Sequence, residues 1–190
     1  MTGQPLLGAQ LRDLRSVILY LKLHKQLDVK RLALWGDTFT SPLDAEDVWK
    51  IPHGVDDRPA PLEPLGGLLA LLGALYEDDV RAVFTHGSLA SLTSTLASPF
   101  CYLPHDAIVP GVLQSGDLAD LAAALAPRPF RQCAMVDGIN RRMARLPMEK
   151  AYDPTRSAYR TAKAEGALTL EPNPPSPNDL ARWFATHLAK

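Results

Sequence analysis

Leu7, Leu11, Leu14, Ile18 and Leu21 recur at alternating steps of four and three, which places them on one face of a helix. Arg12, Arg15, Lys22 and Lys25 fall largely on the other side. Leu32 to Trp35 is then a short apolar run that begins beside Arg31 and ends at Gly36, the length and punctuation of a strand. Thr40 to Pro64 is rich in Pro and Asp with little periodicity and reads as a long irregular excursion, a kind of loop often tied to function. Gly66 to Tyr76 is apolar nearly all round, as in a helix buried between a sheet and its neighbours.

The pattern continues with a strand at Val80 to Thr85, a helix over Gly87 to Leu96, and a helix capped by Asp117 with Leu118, Leu121, Ala122 and Leu125 on one face. Phe130 to Val136 reads as the third strand. Asp153-Pro154 opens a helix closed by Gly166, Leu168 to Leu170 is the fourth strand, and Ser176-Pro177 opens the last helix. Helices and strands alternate, so the expected fold is α/β: a three-layer α/β/α sandwich with a small, mostly parallel sheet in a single domain over residues 1–190. Functional groups on such a sheet gather at the carboxyl ends of its strands. Those ends are Gly36 to Thr40, Thr85 to Ser88, Val136 to Asn140 and Glu171 to Asn178.

Composition narrows the function. Apolar residues make up 46% and charged residues 22% of 190, values of a folded globular chain. The net charge of −1 supplies no basic excess for phosphates, so nucleic acid is not an expected partner. No apolar run reaches the ~20 residues of a membrane span. The Met1 to Pro5 start has no signal-peptide pattern, so a cytoplasmic location is expected, with no membrane partner. Cys101 and Cys133 lack metal or redox spacing, and no His-rich or HExxH motif occurs. No metal and no cofactor are expected. Asp44, Glu46, Asp47, Asp56 and Asp57 form an acidic cluster whose spacing is not that of an EF-hand, which reads as a solvated loop.

Gly36-Asp37-Thr38-Phe39-Thr40 follows the first strand directly. A nucleophile elbow needs a small residue two before the nucleophile, and Gly36 meets that need for Thr38. Thr40 fits the second small position less well than glycine. The alternative is a strand-ending glycine followed by polar turn residues. Ser88, two residues after His86, is a rival nucleophile, although His86 is large for an elbow. His105 lies in a Pro-flanked loop, His187 on the apolar face of the last helix, and His24 and His53 read as surface residues.

Leu32 to Phe39, Glu63 to Leu69, Ser98 to Asp106 and Ala124 to Phe130 together resemble segments of the α/β-hydrolase superfamily. More narrowly they are similar to acetyl xylan esterase-like and dienelactone hydrolase-like bacterial proteins. The resemblance covers the second half of that family's fold. It implies hydrolysis of a small-molecule carboxylic ester through an acyl-enzyme. Thr38 matches the nucleophile position, Asp137 lies near the acid position, and the backbone N–H near Phe39 would hold the oxyanion. The family's His should follow the fourth strand, yet Glu171 to Asn178 contains none. His86 or His105 is left as an unusual base, and the isolated chain is expected to be weak or inactive. The alternative is a non-catalytic remnant, or one subunit of a split hydrolase. With the flanking strands missing, the edge at Leu32 to Trp35 invites a second copy or an N-terminal half-domain as partner.

Overall fold

A computed structural model describes residues 5–44, 62–99, 101 and 103–189. His53, Glu46, Asp47, Asp56 and Asp57 lie outside the described residues, as does most of the expected excursion. Four strands form one sheet: β1 (Leu32–Gly36), β2 (Val80–His86), β3 (Phe130–Cys133) and β4 (Leu168–Glu171). They pair in the order β1-β2-β3-β4, every pair parallel. The helices are α1 (Leu6–Leu23), α2 (Leu65–Tyr76), α3 (Leu118–Ala123), α4 (Arg145–Ala151), α5 (Asp153–Thr161) and α6 (Pro177–Leu188). They lie on both sides of the sheet, giving the three-layer α/β sandwich.

Strand residues in register point to the same side, so alternate rows of the sheet serve different layers. Leu34, Val83 and Phe130 stand in one row and pack with Ile18, Leu71, Ala122, Tyr152 and Tyr159. This is the main core, covered by α1 to α5. In the next row Phe84 faces the opposite layer, where it meets Leu180, Trp183 and Phe184 of α6. α2 is apolar all round because it is enclosed on most sides: it packs on β1 and β2 beneath it and on α1 above.

Three expectations change. Gly87 to Leu96 is not an α-helix. Leu89 forms a bridge with Val136, and only a 3₁₀ turn follows at Thr93–Leu96. The cause is competition from polar groups. Asp117 accepts from the backbone N–H groups of Leu92 and Thr93, and the Ser94 and Thr95 hydroxyls donate to the carbonyls of Ser91 and Leu92. The third strand stops at Cys133 because Ala134 adopts a left-handed conformation (φ 52°). The helix from Asp153 ends at Thr161, well before Gly166, where Lys163 turns left-handed (φ 55°). The short α4 is an addition to the elements expected from the sequence.

α1 is tied to the turn after α2 by charge. Arg15 donates to one Glu77 oxygen at 2.8 Å, and Lys22 reaches the other at 3.0 Å and Asp79 at 2.7 Å. The Arg15 hydrogen bond, followed by that of Lys22, holds the Glu77 carboxyl below its ordinary pKa of 4.5, against its burial. A depressed carboxylate pKa stabilises the fold above the ordinary value, and that gain is lost as pH falls through the folded value. Glu77→Gln should therefore cost up to about 1 kcal/mol at neutral pH. In denaturant melts the gap between variant and parent should close under acid. A gap that stays constant as pH falls would show that the pair contributes no charge-dependent stability.

Candidate active site at the carboxyl edge of the sheet

β1 ends at Gly36, directly against the start of α2. A Cβ on Gly36 would lie 2.2 Å from the Gly66 carbonyl oxygen, and one on Gly66 would lie 2.1 Å from the Asp37 carbonyl oxygen. Two facing glycines thus let the strand end and the helix start meet backbone to backbone. The contact throws Asp37 onto the edge of the sheet.

The Asp37 carboxylate is the hub of this edge. Its Oδ1 accepts from the Thr38 N–H at 2.8 Å and lies 2.7 Å from His86 Nδ1. Its Oδ2 accepts from the Trp35 indole N–H at 3.1 Å. His86 is the last residue of β2, the neighbouring strand, and its ring is largely but not fully covered, with 28% of the side chain exposed. An ionised carboxylate can only accept, so Nδ1 carries the hydrogen, and in the neutral ring Nε2 then keeps its lone pair. That is the arrangement of a base held by a carboxylate.

Beside this pair, Glu63 reaches the same turn from just before α2. Its Oε2 accepts from the Phe39 N–H at 2.7 Å and from the Thr38 hydroxyl at 3.4 Å. The Thr40 N–H donates to the Thr38 oxygen at 3.2 Å. The Thr38 methyl lies on the other side, against Gly87. A Cβ there would come within 2.3 Å of Thr38 Cγ2, and Gly87 itself is left-handed (φ +61°). The methyl rather than the hydroxyl therefore faces the backbone next to His86.

Of the residues read from sequence, Thr38, Phe39 and His86 come together. Asp137 lies on the same edge but is engaged otherwise. Its Oδ1 accepts from the N–H groups of Ile139 and Arg141, both at 3.0 Å, and its Oδ2 takes Arg141 Nε and Nη2 at 3.0 and 2.9 Å. It organises its own turn, and the carboxylate that contacts His86 is Asp37. Ser88 is buried with its Oγ against the position of Gly67 and unpartnered among the described residues, so it is no exposed nucleophile. His105 is in a 3₁₀ turn, His187 packs edge-on to Trp183 at 4.9 Å, and His24 edge-on to Tyr20 at 4.5 Å. Cys133 is fully buried, and burial, with Glu171 second, pushes its thiol up to about 12, which leaves it protonated and inert. Both cysteines are free. Among the described residues no cluster could hold a metal ion, and no helix is long and apolar enough to cross a membrane.

Beneath the pair lies an aromatic floor. Trp35 meets Phe84 edge-on at 5.3 Å and stacks on Phe184 at 6.0 Å, while Phe184 meets Trp183 at 5.1 Å. The floor fixes Trp35, whose indole in turn steadies Asp37. A cleft of about 420 Å³ opens elsewhere, at the amino ends of the strands, between Leu75, Asp78, Arg81 and Arg128. It gathers charged side chains and no hydroxyl, thiol or imidazole.

No family model, curated protein or solved structure matches this chain. The site therefore stands on its own geometry.

The glycine contact has a measurable consequence. Gly66→Ala should destabilise the protein by about 1–3 kcal/mol, the usual cost of overpacking. It should also displace Asp37 from His86. An alanine variant with parental stability would mean that the strand end and the helix start are not in backbone contact.

Proposed function

We propose that the chain is a carboxylic ester hydrolase of α/β-hydrolase type in which His86 is the general base and Asp37 the group that orients it. One observation carries the reading: the 2.7 Å contact between Asp37 and His86 at adjacent strand ends, beside a hydroxyl and a backbone N–H. The resemblance of Leu32 to Phe39 and of Glu63 to Leu69 to the acetyl xylan esterase-like proteins supports the same chemistry. In this reading Asp37 replaces Asp137 as the acid, and the base comes from β2 rather than from the segment after β4.

The steps follow from the groups present. His86 Nε2 takes the proton of the attacking hydroxyl, Thr38 Oγ1 adds to the ester carbonyl, and the Phe39 N–H donates to the oxygen that gains charge. The alcohol leaves with the proton returned by His86, and water then releases the acid by the same route. Three contacts oppose this sequence in the resting arrangement. The Thr38 hydroxyl and the Phe39 N–H both donate to Glu63, and the Thr38 methyl occupies the side toward His86. A turn about the Thr38 Cα–Cβ bond is needed before attack, so turnover is slow.

The same contacts favour a second reading, a hydrolase relative that keeps the fold and has lost its chemistry. β1 is an edge strand among those described, which leaves a second copy or a separate half-domain as a partner in either case.

Hydrolysis of p-nitrophenyl acetate separates the readings. His86→Ala should lower the rate by about 10²–10⁴-fold, the usual worth of a positioned base. Thr38→Ser, which lacks the obstructing methyl, should exceed the parent, and Thr38→Ala should fall to background. Equal rates across parent, His86→Ala and Thr38→Ala would eliminate the esterase reading and leave the non-catalytic one.

A further inference from the structure

Four backbone or side-chain donors surround the turn after β1, and two of them are satisfied from within it. Asp37 takes the Thr38 N–H, and Thr38 takes the Thr40 N–H. The Phe39 N–H is different. Its acceptor, Glu63, comes from a segment 24 residues away, and the same Glu63 oxygen also accepts the Thr38 hydroxyl. Phe39 itself is 95% exposed, so its side chain does nothing to anchor the turn in the core. Two convergent donors on one carboxylate oxygen make a small anion-binding feature, and a charged acceptor strengthens both bonds.

We propose that the Thr38–Phe39 turn is a carboxylate-binding site that the chain fills with its own Glu63. A free carboxylate makes the same two bonds and competes with Glu63 for them. Glu63 is thus an internal competitor. Asp37, the nearest other carboxylate, does not block the site, because the indole of Trp35, the Thr38 N–H and His86 already bind it. The extension to catalysis rests on the esterase reading: an ester's developing oxyanion would need the Phe39 donor that Glu63 holds, and removal of the Glu63 carboxylate would free it. The carboxylate site itself does not depend on that reading.

Selective ¹⁵N labelling of phenylalanine gives five backbone amide signals, one for each Phe in the chain. The Phe39 signal is identified by its loss in Phe39→Leu. Acetate is then titrated into the parent, Glu63→Ala and Glu63→Gln, each first checked for a parental melting curve. In Glu63→Ala the Phe39 amide should shift and saturate, with half-saturation at least about tenfold below any shift in the parent. Glu63→Gln keeps a neutral acceptor of the same length and should fall between the two, and it serves as the test if Glu63→Ala does not fold. No acetate-dependent shift in either variant, or the same titration in parent and variants, overturns the proposal. Acetate binding in Glu63→Ala without ester hydrolysis in any variant would sink the esterase reading and leave the carboxylate site standing.

Discussion

The carboxyl edge of this sheet depends on one steric fact: the end of β1 and the start of α2 touch through bare backbone. Gly36 lacks a Cβ where the Gly66 carbonyl sits, and Gly66 lacks one where the Asp37 carbonyl sits. The chain can then turn sharply at Asp37, and the segment before α2 passes close enough for Glu63 to reach the same turn. Both carboxylates of the site are thereby delivered by a single contact. β2 lies beside β1 in parallel register, so its last residue, His86, ends next to that turn as a matter of strand geometry. The site is the product of a close approach and a parallel pairing. Neither strand carries it alone.

Hydrogen bonds then decide which carboxylate is left for the imidazole. A carboxylate near a backbone turn is quickly claimed by local N–H groups. Asp137 is claimed in this way by Ile139 and Arg141 and Asp117 by Leu118, while the N–H groups of Leu92 and Thr93 and the Ser91 hydroxyl reach Asp117 from 24 to 26 residues away. Asp37 is only partly claimed, by Thr38 and by the Trp35 indole, and one direction remains for His86. Trp35 is held by the aromatic floor it shares with Phe84 and Phe184, so α6 on the far face contributes to the orientation of Asp37. The orientation of the Asp37 carboxylate is thus coupled to packing between the layers.

Much of the fold was legible in the pattern of apolar residues, because α1, α2 and the first two strands are set by burial, which acts through periodicity. Elements governed by local polar competition were not. Ser91, Thr93, Ser94 and Thr95 carry apolar neighbours at helical spacing, yet their hydroxyls and the distant Asp117 take the bonds that a helix needs. The candidate site was half legible. Strand ends and the resemblance pointed to Thr38, Phe39 and His86, which the fold brings together. Asp37 was passed over because its neighbour Thr38 occupies the nucleophile position of the elbow pattern, and the resemblance pointed instead to Asp137, which pairs with Arg141 four residues on. Glu63 is 25 residues from Thr38, and only the tertiary contact at the glycines brings it there.

In the esterase reading Asp37 fixes His86 as a base with its Nε2 free. The imidazole ¹⁵N shifts of His86 in the neutral ring test this most directly, since they report which nitrogen carries the hydrogen. Nδ1 should be protonated and Nε2 unprotonated, with the preference lost in Asp37→Ala. A His86 that carries its hydrogen on Nε2 in the parent, or one whose tautomer is indifferent to Asp37→Ala, would contradict it.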